Sequence, residues 1–546
     1  MSTTRVWTRE EVTQSILKGD TLVIYDTFLL RITSNWLASH PGGALAILHF
    51  VGRDATDEIN AYHPDIVLNR VKGFIVGRVE MGEKLGWEPL VPPVAQGWVR
   101  RDGQWQNDAA AVRNDTGTSS QPCDRDRPTV TSTEILLVAK DPTKNAEPGP
   151  SAACINPPPA TLSLAEQTRH SLAYRALHTR IKEAGLYDTR YLTGYGPELL
   201  RYSVLAATSY VAYQYRWFLT SGLFLGLLWH QLAFIVHDLG HVGVTHKWVV
   251  DRVLGISLAS FCGGLSIGWW TDNHNIHHLV TNHPSHDPDI QHIPFFAISP
   301  AFLSNLYSSY YNRIMQVDFL AKLVLPIQHN LYYVVLSLAR FNLYANSYIF
   351  MALKAKRDWT FYMEVVGIAF FWSWYLRAMS RMGDWKTMLG FFLISNITAS
   401  PVHVQIVLSH FSRSTADLGP TESFVHRQLR TTSDVICSDS VAFLHGGLHL
   451  QVTHHLFPRL PRHNLRAASL LVKEFAADQG LEYAEFGFIG GNQEVLGVLR
   501  EVANQAKIVA MVAKEEVKEA RMAAMIDRKE SSAFEEKVLE KQKLEQ

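Results

Sequence analysis

The residues of this chain best suited to chemistry are its histidines. There are 24 of them in 546 residues, and many crowd into short clusters. Three clusters share a helical phase: His237-Asp-Leu-Gly-His241, His274-Asn-Ile-His277-His278 and Gln451-Val-Thr-His454-His455. Residues three or four apart lie on one face of a helix, so each cluster would present two or three imidazoles in one direction. A lone histidine on an apolar face is ordinarily a core residue, but seven in three phased clusters call for metal. Imidazole suits iron, zinc or copper. Seven exceed the three or four ligands that one zinc takes, so two ions sharing a site is the better count.

A second pattern lies near the start. His40-Pro41-Gly42-Gly43 is followed, twenty-three residues after His40, by His63-Pro64 at the end of DATDEINAYHP. Pro-Gly-Gly breaks the backbone, so His40 can sit at a turn, and a low-spin haem needs two imidazoles on opposite faces. Apolar Leu45, Ile47, Leu48 and Ile59 between them are expected to line the cleft. With WTREEV upstream and GRDATDEI in the middle, the run resembles cytochrome b5 over most of residues 5–80. The resemblance implies haem b with His40 and His63 as axial ligands. His49 has no place in that pattern and is read as structural. Asp54, Asp57, Glu58 and Asp65 near this rim are candidates for docking a reductase. A haem donor also bears on the metal, because redox iron has use for electrons and zinc has none.

The three clusters, with WWTDNHNIHH, HDPDIQHIP and HGGLHLQVTHHLFPRLPRHNL around them, resemble the histidine boxes of membrane fatty-acyl and sphingolipid desaturases over most of residues 190–480. Gln451, in place of the first histidine of the third box, is the mark of the front-end subgroup with a fused cytochrome b5. The resemblance implies that His237, His241, His274, His277, His278, His454 and His455 are catalytic iron ligands of a di-iron centre. Gln451 would be a ligand or an orienting group. His410, in IVLSHFS at the end of a candidate span, best matches the further histidine that completes such sites. His283 and His286 are candidates for orienting ligands together with Asp287. His246 and His403 are read as structural, and the role of His449 stays open.

The linker length and HDPDIQHIP are most similar to fungal Δ8 sphingolipid (ceramide) desaturases. That implies oxygen-dependent formation of a Δ8 double bond, usually trans, in a long-chain base held in an apolar tunnel. Electrons would come from NADH through a separate NADH–cytochrome b5 reductase. The alternatives with the same boxes are a Δ5 or Δ6 fatty-acyl desaturase and a fused lipid hydroxylase. A haem-carrying membrane anchor that only relays electrons would have no use for seven clustered histidines.

Such sites need elements to position them. The 21 residues between Arg216 and Asp238, and the 26 between Lys386 and Arg413, are uncharged. About 20 apolar residues cross the hydrocarbon core. Weaker candidates at Pro197 to Tyr215 and Phe361 to Leu376 pair with them as hairpins, giving four spans. The 18 uncharged residues from Val253 to Trp270, and those from Leu323 to Ala339, are expected to lie in the interface, since a crossing there would split the boxes between two sides. The expected fold is therefore an α+β cytochrome b5-like domain (5–80) and a flexible linker (104–160) rich in Asp, Ser, Thr, Pro and Ala. An all-α membrane domain (162–500) and a charged helical tail (505–546) follow.

Zero net charge gives no electrostatic pull toward nucleic acid. Cys123, Cys154, Cys262 and Cys437 form no CxxC pair, which fits a reducing compartment. The first twenty residues lack an apolar signal core, so the N-terminus is expected to stay cytosolic. The haem domain and boxes are accordingly expected on the cytosolic side of the endoplasmic reticulum membrane.

Overall fold

The computed structural model describes residues 5–81, 86–109 and 149–544. In the N-terminal domain the WTREEV run becomes a helix, Arg9–Leu17, because Thr8 and Glu11 cap it reciprocally. The Glu11 N–H donates to Thr8 Oγ1 at 3.2 Å, and the Thr8 N–H donates to Glu11 Oε2 at 2.9 Å. Strands β1 (Val6–Trp7), β2 (Thr21–Tyr25), β3 (Phe28–Ile32) and β4 (Ile75–Val79) form one sheet in the order β1-β4-β3-β2. β1 runs parallel to β4, and the other pairs are antiparallel. Short helices between β3 and β4, among them Leu45–Leu48 and Thr56–Tyr62, carry the haem-ligand candidates at their ends.

The stretch expected as a linker contributes ordered structure at both ends, which corrects its bounds. Strands β5 (Trp98–Arg101) and β6 (Gln104–Asn107) pair as a hairpin, and Trp105 Nε1 donates to the Leu17 carbonyl at 2.9 Å. A turn of helix at Ala152–Ile155 buries Ile155 beside Trp87 and Leu90 in the core of the N-terminal domain. A few apolar anchors suffice to dock these ends, and average composition hides them. Residues 110–148 lie outside the described residues. Cys262 and Cys437 are free thiols, while Cys123 lies outside the described residues.

The remainder is mostly helical. Helices Gly196–Gln214 and Phe218–Gly240 form one hairpin, and Trp359–Ser380 and Trp385–Ala399 form a second. The hairpins meet closely at Gly226, where a Cβ would stand 2.5 Å from the Ser395 carbonyl oxygen. Such backbone approach is how small residues let helices associate where lipid removes the hydrophobic drive.

Among the described residues, three helices are long and apolar enough to cross a membrane: Phe218–Gly240, Phe319–Ser337 and Trp385–Leu408. A fourth would be the pair Trp248–Cys262 and Ile267–Leu279, bent by 116°. The two weaker candidates form long helices but fall short on apolarity. Glu198 and Arg201 sit in one, and Glu364 and Arg377 in the other. The segment around Leu323 to Ala339, expected in the interface, passes the same test. The tail extends as one helix, Phe488–Leu544, anchored through Val495, Leu499 and Val502 in the core.

Candidate metal centre and haem pocket

The boxes converge from three elements. His237 and His241 close the helix Phe218–Gly240, His274, His277 and His278 end the helix Ile267–Leu279, and His454 and His455 lie on Gln451–Leu456. Their ring nitrogens sort into two groups. One comprises His237, His241, His274, His278 and His454; the other comprises His277, His410 and His455, with candidate ligand atoms in each group all within 4.8 Å of one another. Neighbours on a helix point about 100° apart, so the adjacent pairs His277-His278 and His454-His455 feed different subsites. The stacked rings of His278 and His455, 4.0 Å apart, join the two.

This donor set fits metal. His237 Nε2, both nitrogens of His241, and His455 Nε2 are buried with no hydrogen-bond partner among the described residues. The Nε2 atoms of His274 and His278 face each other at 3.1 Å, and those of His278 and His454 at 3.2 Å. Lone pairs aimed together in a buried space need a cation between them. Burial, and next the charge of neighbouring His237, holds His454 well below the ordinary imidazole range. It is therefore in the neutral form that binds metal. Gln451 is buried, and its Oε1 has no partner among the described residues.

Asp287 is a candidate orienting group in the sequence; Asp289 and Gln428 are not. His277 Nδ1 donates to Asp287 at 2.9 Å, and His274 Nδ1 donates to Asp289 at 3.2 Å. His455 Nδ1 donates to Gln428 Oε1 at 2.9 Å, while Gln428 Nε2 donates to the His278 carbonyl at 2.8 Å. Each bond fixes Nδ1 as the donor and leaves Nε2 for metal. The two aspartates lie inside the quoted HDPDIQHIP; nothing marks Gln428. Arg462, buried, pairs with Glu198 at 2.5 Å and Asp238 at 3.3 Å, tying the first box to the segment after the third.

His283 and His286 turn away from the centre, toward Asp417 at 3.4 Å and the Ser309 hydroxyl at 2.9 Å, so Asp287 orients His277 without them. His246 bonds the Tyr187 carbonyl at 2.8 Å and His403 the Ser400 carbonyl at 3.1 Å. Both ring nitrogens of His449 are buried and without a partner among the described residues.

In the N-terminal domain the rings of His40 and His63 face each other with centroids 6.1 Å apart. That gap admits one metal at about 2 Å from each nitrogen. His40 Nδ1 donates to the Gly43 carbonyl at 3.0 Å and His63 Nδ1 to the Ile59 carbonyl at 2.9 Å, so both Nε2 atoms are left to ligate. Burial lowers the His63 imidazole to about 4.

This pocket rests on the helix of the second box. Of the residues expected to line the cleft, Leu48 packs into the domain core, Ile47 and Ile59 join the cluster around Leu279, and Leu45 meets Ile276 and Val280. Much of the acidic rim is engaged within the chain. Arg175 bonds Asp57 at 2.6 Å and Asp54 at 3.3 Å, Lys182 bonds Asp65 at 2.8 Å, and Glu58 is buried. Asp54, Asp57 and Asp65 thus pair with basic residues of the helix Leu164–Glu183, although Asp65 stays mostly exposed.

An electron-carrying haem has a purpose beside this centre only if the centre does redox work, which places the molecule among membrane oxidoreductases with a built-in donor. Residues 8–80 match the cytochrome b5-like heme/steroid binding domain, and residues 215–487 match the fatty acid desaturase family. The chain belongs to the fatty acid desaturase family, with a cytochrome b5-like domain fused ahead of it. It is 43% identical over 521 residues to a Delta 8-(E)-sphingolipid desaturase of Komagataella phaffii, covering 92% of this chain and 94% of the relative. A protein of the same name from Emericella nidulans is 40% identical, covering 92% and 95%. Delta(8)-fatty-acid desaturase 2 of Arabidopsis thaliana is 30% identical, covering 87% and 88%.

Proposed function

We propose that this protein introduces a Δ8 double bond into the long-chain base of a sphingolipid. The observation that carries the substrate is the likeness, over nine-tenths of the chain, to fungal proteins named for that reaction. Two irons are the group the eight histidines suit, one per subsite; bound there they would supply the oxygen activation needed to break unactivated C–H bonds. The chain's own residues do the positioning. Asp287, Asp289 and Gln428 hold His277, His274 and His455 with Nε2 inward, and burial keeps His454 and His455 neutral. His40 and His63 would hold haem b, which would supply single electrons that originate on NADH and arrive through a separate reductase. The balance is one O2, two electrons, two protons and two hydrogens from the lipid, giving one C=C bond and two waters.

In the membrane reading, Gly196–Gln214, Phe218–Gly240, Trp359–Ser380 and Trp385–Leu408 span an endoplasmic reticulum bilayer. The bent pair and Phe319–Ser337 lie at the cytosolic interface. The 116° bend supports this, because it turns the chain back toward the face where all three boxes meet. The plant relative's name favours a second reading, an acyl chain as substrate.

Expression in a yeast devoid of unsaturated long-chain bases separates the readings. A new Δ8-unsaturated base is the expected product, absent with His277→Ala. New double bonds confined to fatty acids would sink the sphingolipid assignment, and hydroxylated lipid would mean a hydroxylase.

A further inference from the structure

One residue stands between the two redox sites. Tyr62 is bonded in sequence to His63, and its ring meets the ring of His278 edge-on with centroids 6.4 Å apart. His63 is a haem-ligand candidate, and His278 belongs to the five-histidine subsite. The phenol oxygen is buried and has no hydrogen-bond partner among the described residues, so the ring is not placed by its hydroxyl. Packing places it: Tyr62 lies against the buried clusters that contain Ala61, Phe457 and Leu279.

Other contacts join the domains without offering so short a route. Lys356 Nζ donates to the His40 carbonyl at 3.2 Å, and a Cβ on Gly43 would stand 2.9 Å from Asp272. Both touch the His40 loop, but neither Lys356 nor Asp272 belongs to a metal group. Leu45 meets Ile276 and Val280 through aliphatic groups. Among these contacts between described residues, Tyr62 is the one whose ring meets an iron-ligand candidate while its backbone is bonded to a haem-ligand candidate.

We propose that Tyr62 is the bridge for electron transfer from the haem to the metal centre, a role that rests on the di-iron reading above. Each transfer oxidises one ferrous haem to ferric and reduces one ferric ion of the pair to ferrous. Tyr62 keeps its proton and its electrons throughout, and supplies a π system where solvent or a gap would otherwise lie. Electronic coupling falls steeply with each through-space gap, so an aliphatic side chain here should transmit poorly and a phenyl ring well.

The test uses the full chain in lipid nanodiscs with haem and iron loaded. The haem is reduced anaerobically with dithionite and then mixed with oxygen and lipid substrate, and its reoxidation is followed in the Soret band. His277→Ala gives the background of direct haem oxidation. Tyr62→Leu should slow the excess over that background about tenfold or more, and Tyr62→Phe should restore most of it. The resting Soret spectrum and haem midpoint potential should stay at wild-type values in both. Cross-linking of an Asp65→Cys/Lys182→Cys pair should proceed equally in wild-type and Tyr62→Leu backgrounds, showing that the domains stay docked.

Reoxidation of Tyr62→Leu at the wild-type rate overturns the bridge, and so does a loss in Tyr62→Leu accompanied by lost cross-linking. If Tyr62→Leu does not hold haem, Tyr62→Met is read in the same way. Wild type reoxidising no faster than His277→Ala would instead remove the di-iron reading, and the bridge with it.

Discussion

At the scale of single residues, the metal centre depends on groups that never touch metal. Asp287 is fully buried and spends both carboxylate oxygens on His277 Nδ1, at 3.0 and 2.9 Å, while accepting the Asn282 N–H at 2.7 Å. Removing such a partner lowers metal affinity or activity about 10- to 100-fold. Asp287→Ala should therefore bind less iron per chain by metal analysis, with the haem Soret band unchanged; full iron content would show that His277 needs no orienting. Asp434 does comparable work under the third box, accepting the Val452 N–H at 2.9 Å and the Tyr483 hydroxyl. Burial raises its carboxyl from 3.8 to about 7. Because the folded value lies above the unfolded one, its contribution to stability is complete below 3.8 and is lost as pH rises through about 7. The wild type should melt lower at about pH 8 than at about pH 5, and Asp434→Asn should narrow that gap. An equal gap in the variant would contradict the assignment.

At the scale of elements, the helix of the second box carries three of the eight histidines and is held at its start by another helix. Glu364, buried in Trp359–Ser380, accepts the Gly268 N–H at 3.0 Å and the hydroxyl of the N-cap residue Ser266. A carboxylate at a helix N-terminus satisfies donors that have no partner within the helix and complements its dipole. Glu364→Ala should cost about 1–2 kcal/mol, read as a lower Tm of the membrane part, while Glu364→Gln keeps an acceptor and loses less. Equal Tm values for wild type and Glu364→Ala would remove the cap. The histidine spacings give this helix away in the sequence, but Glu364 is nearly a hundred residues distant and reads there only as a charge that spoils a candidate span.

At the scale of the whole molecule, the haem domain is seated on the metal centre rather than tethered near it. Arg175 holds Asp57 and Asp54, with its own side chain 29% exposed and that of Asp57 5% exposed. Breaking a buried pair costs about 3–5 kcal/mol, but partial exposure brings the figure here nearer 1–3 kcal/mol. Arg175→Ala should loosen the docking, seen as faster proteolysis between the domains, with haem content retained; unchanged proteolysis would place the docking energy elsewhere. The same contacts also engage Asp54, Asp57 and Asp65.

The haem-ligand candidates and the histidine boxes can be picked out of the chain itself, because their side chains sit at spacings that a helix turns toward one side. The helical tail and the segregation of apolar stretches are equally local. What the sequence determined is thus whatever depends on neighbours within a few turns. Only the tertiary structure divided eight histidines into sets of five and three, brought His410 beside His277 and His455, and found Gln428, Glu364 and Arg462 as supports. It also paired Asp57 with Arg175 and set the ring of Tyr62 against His278. These relations join residues far apart along the chain, and their partners are chosen by packing, which leaves no periodic mark in the sequence.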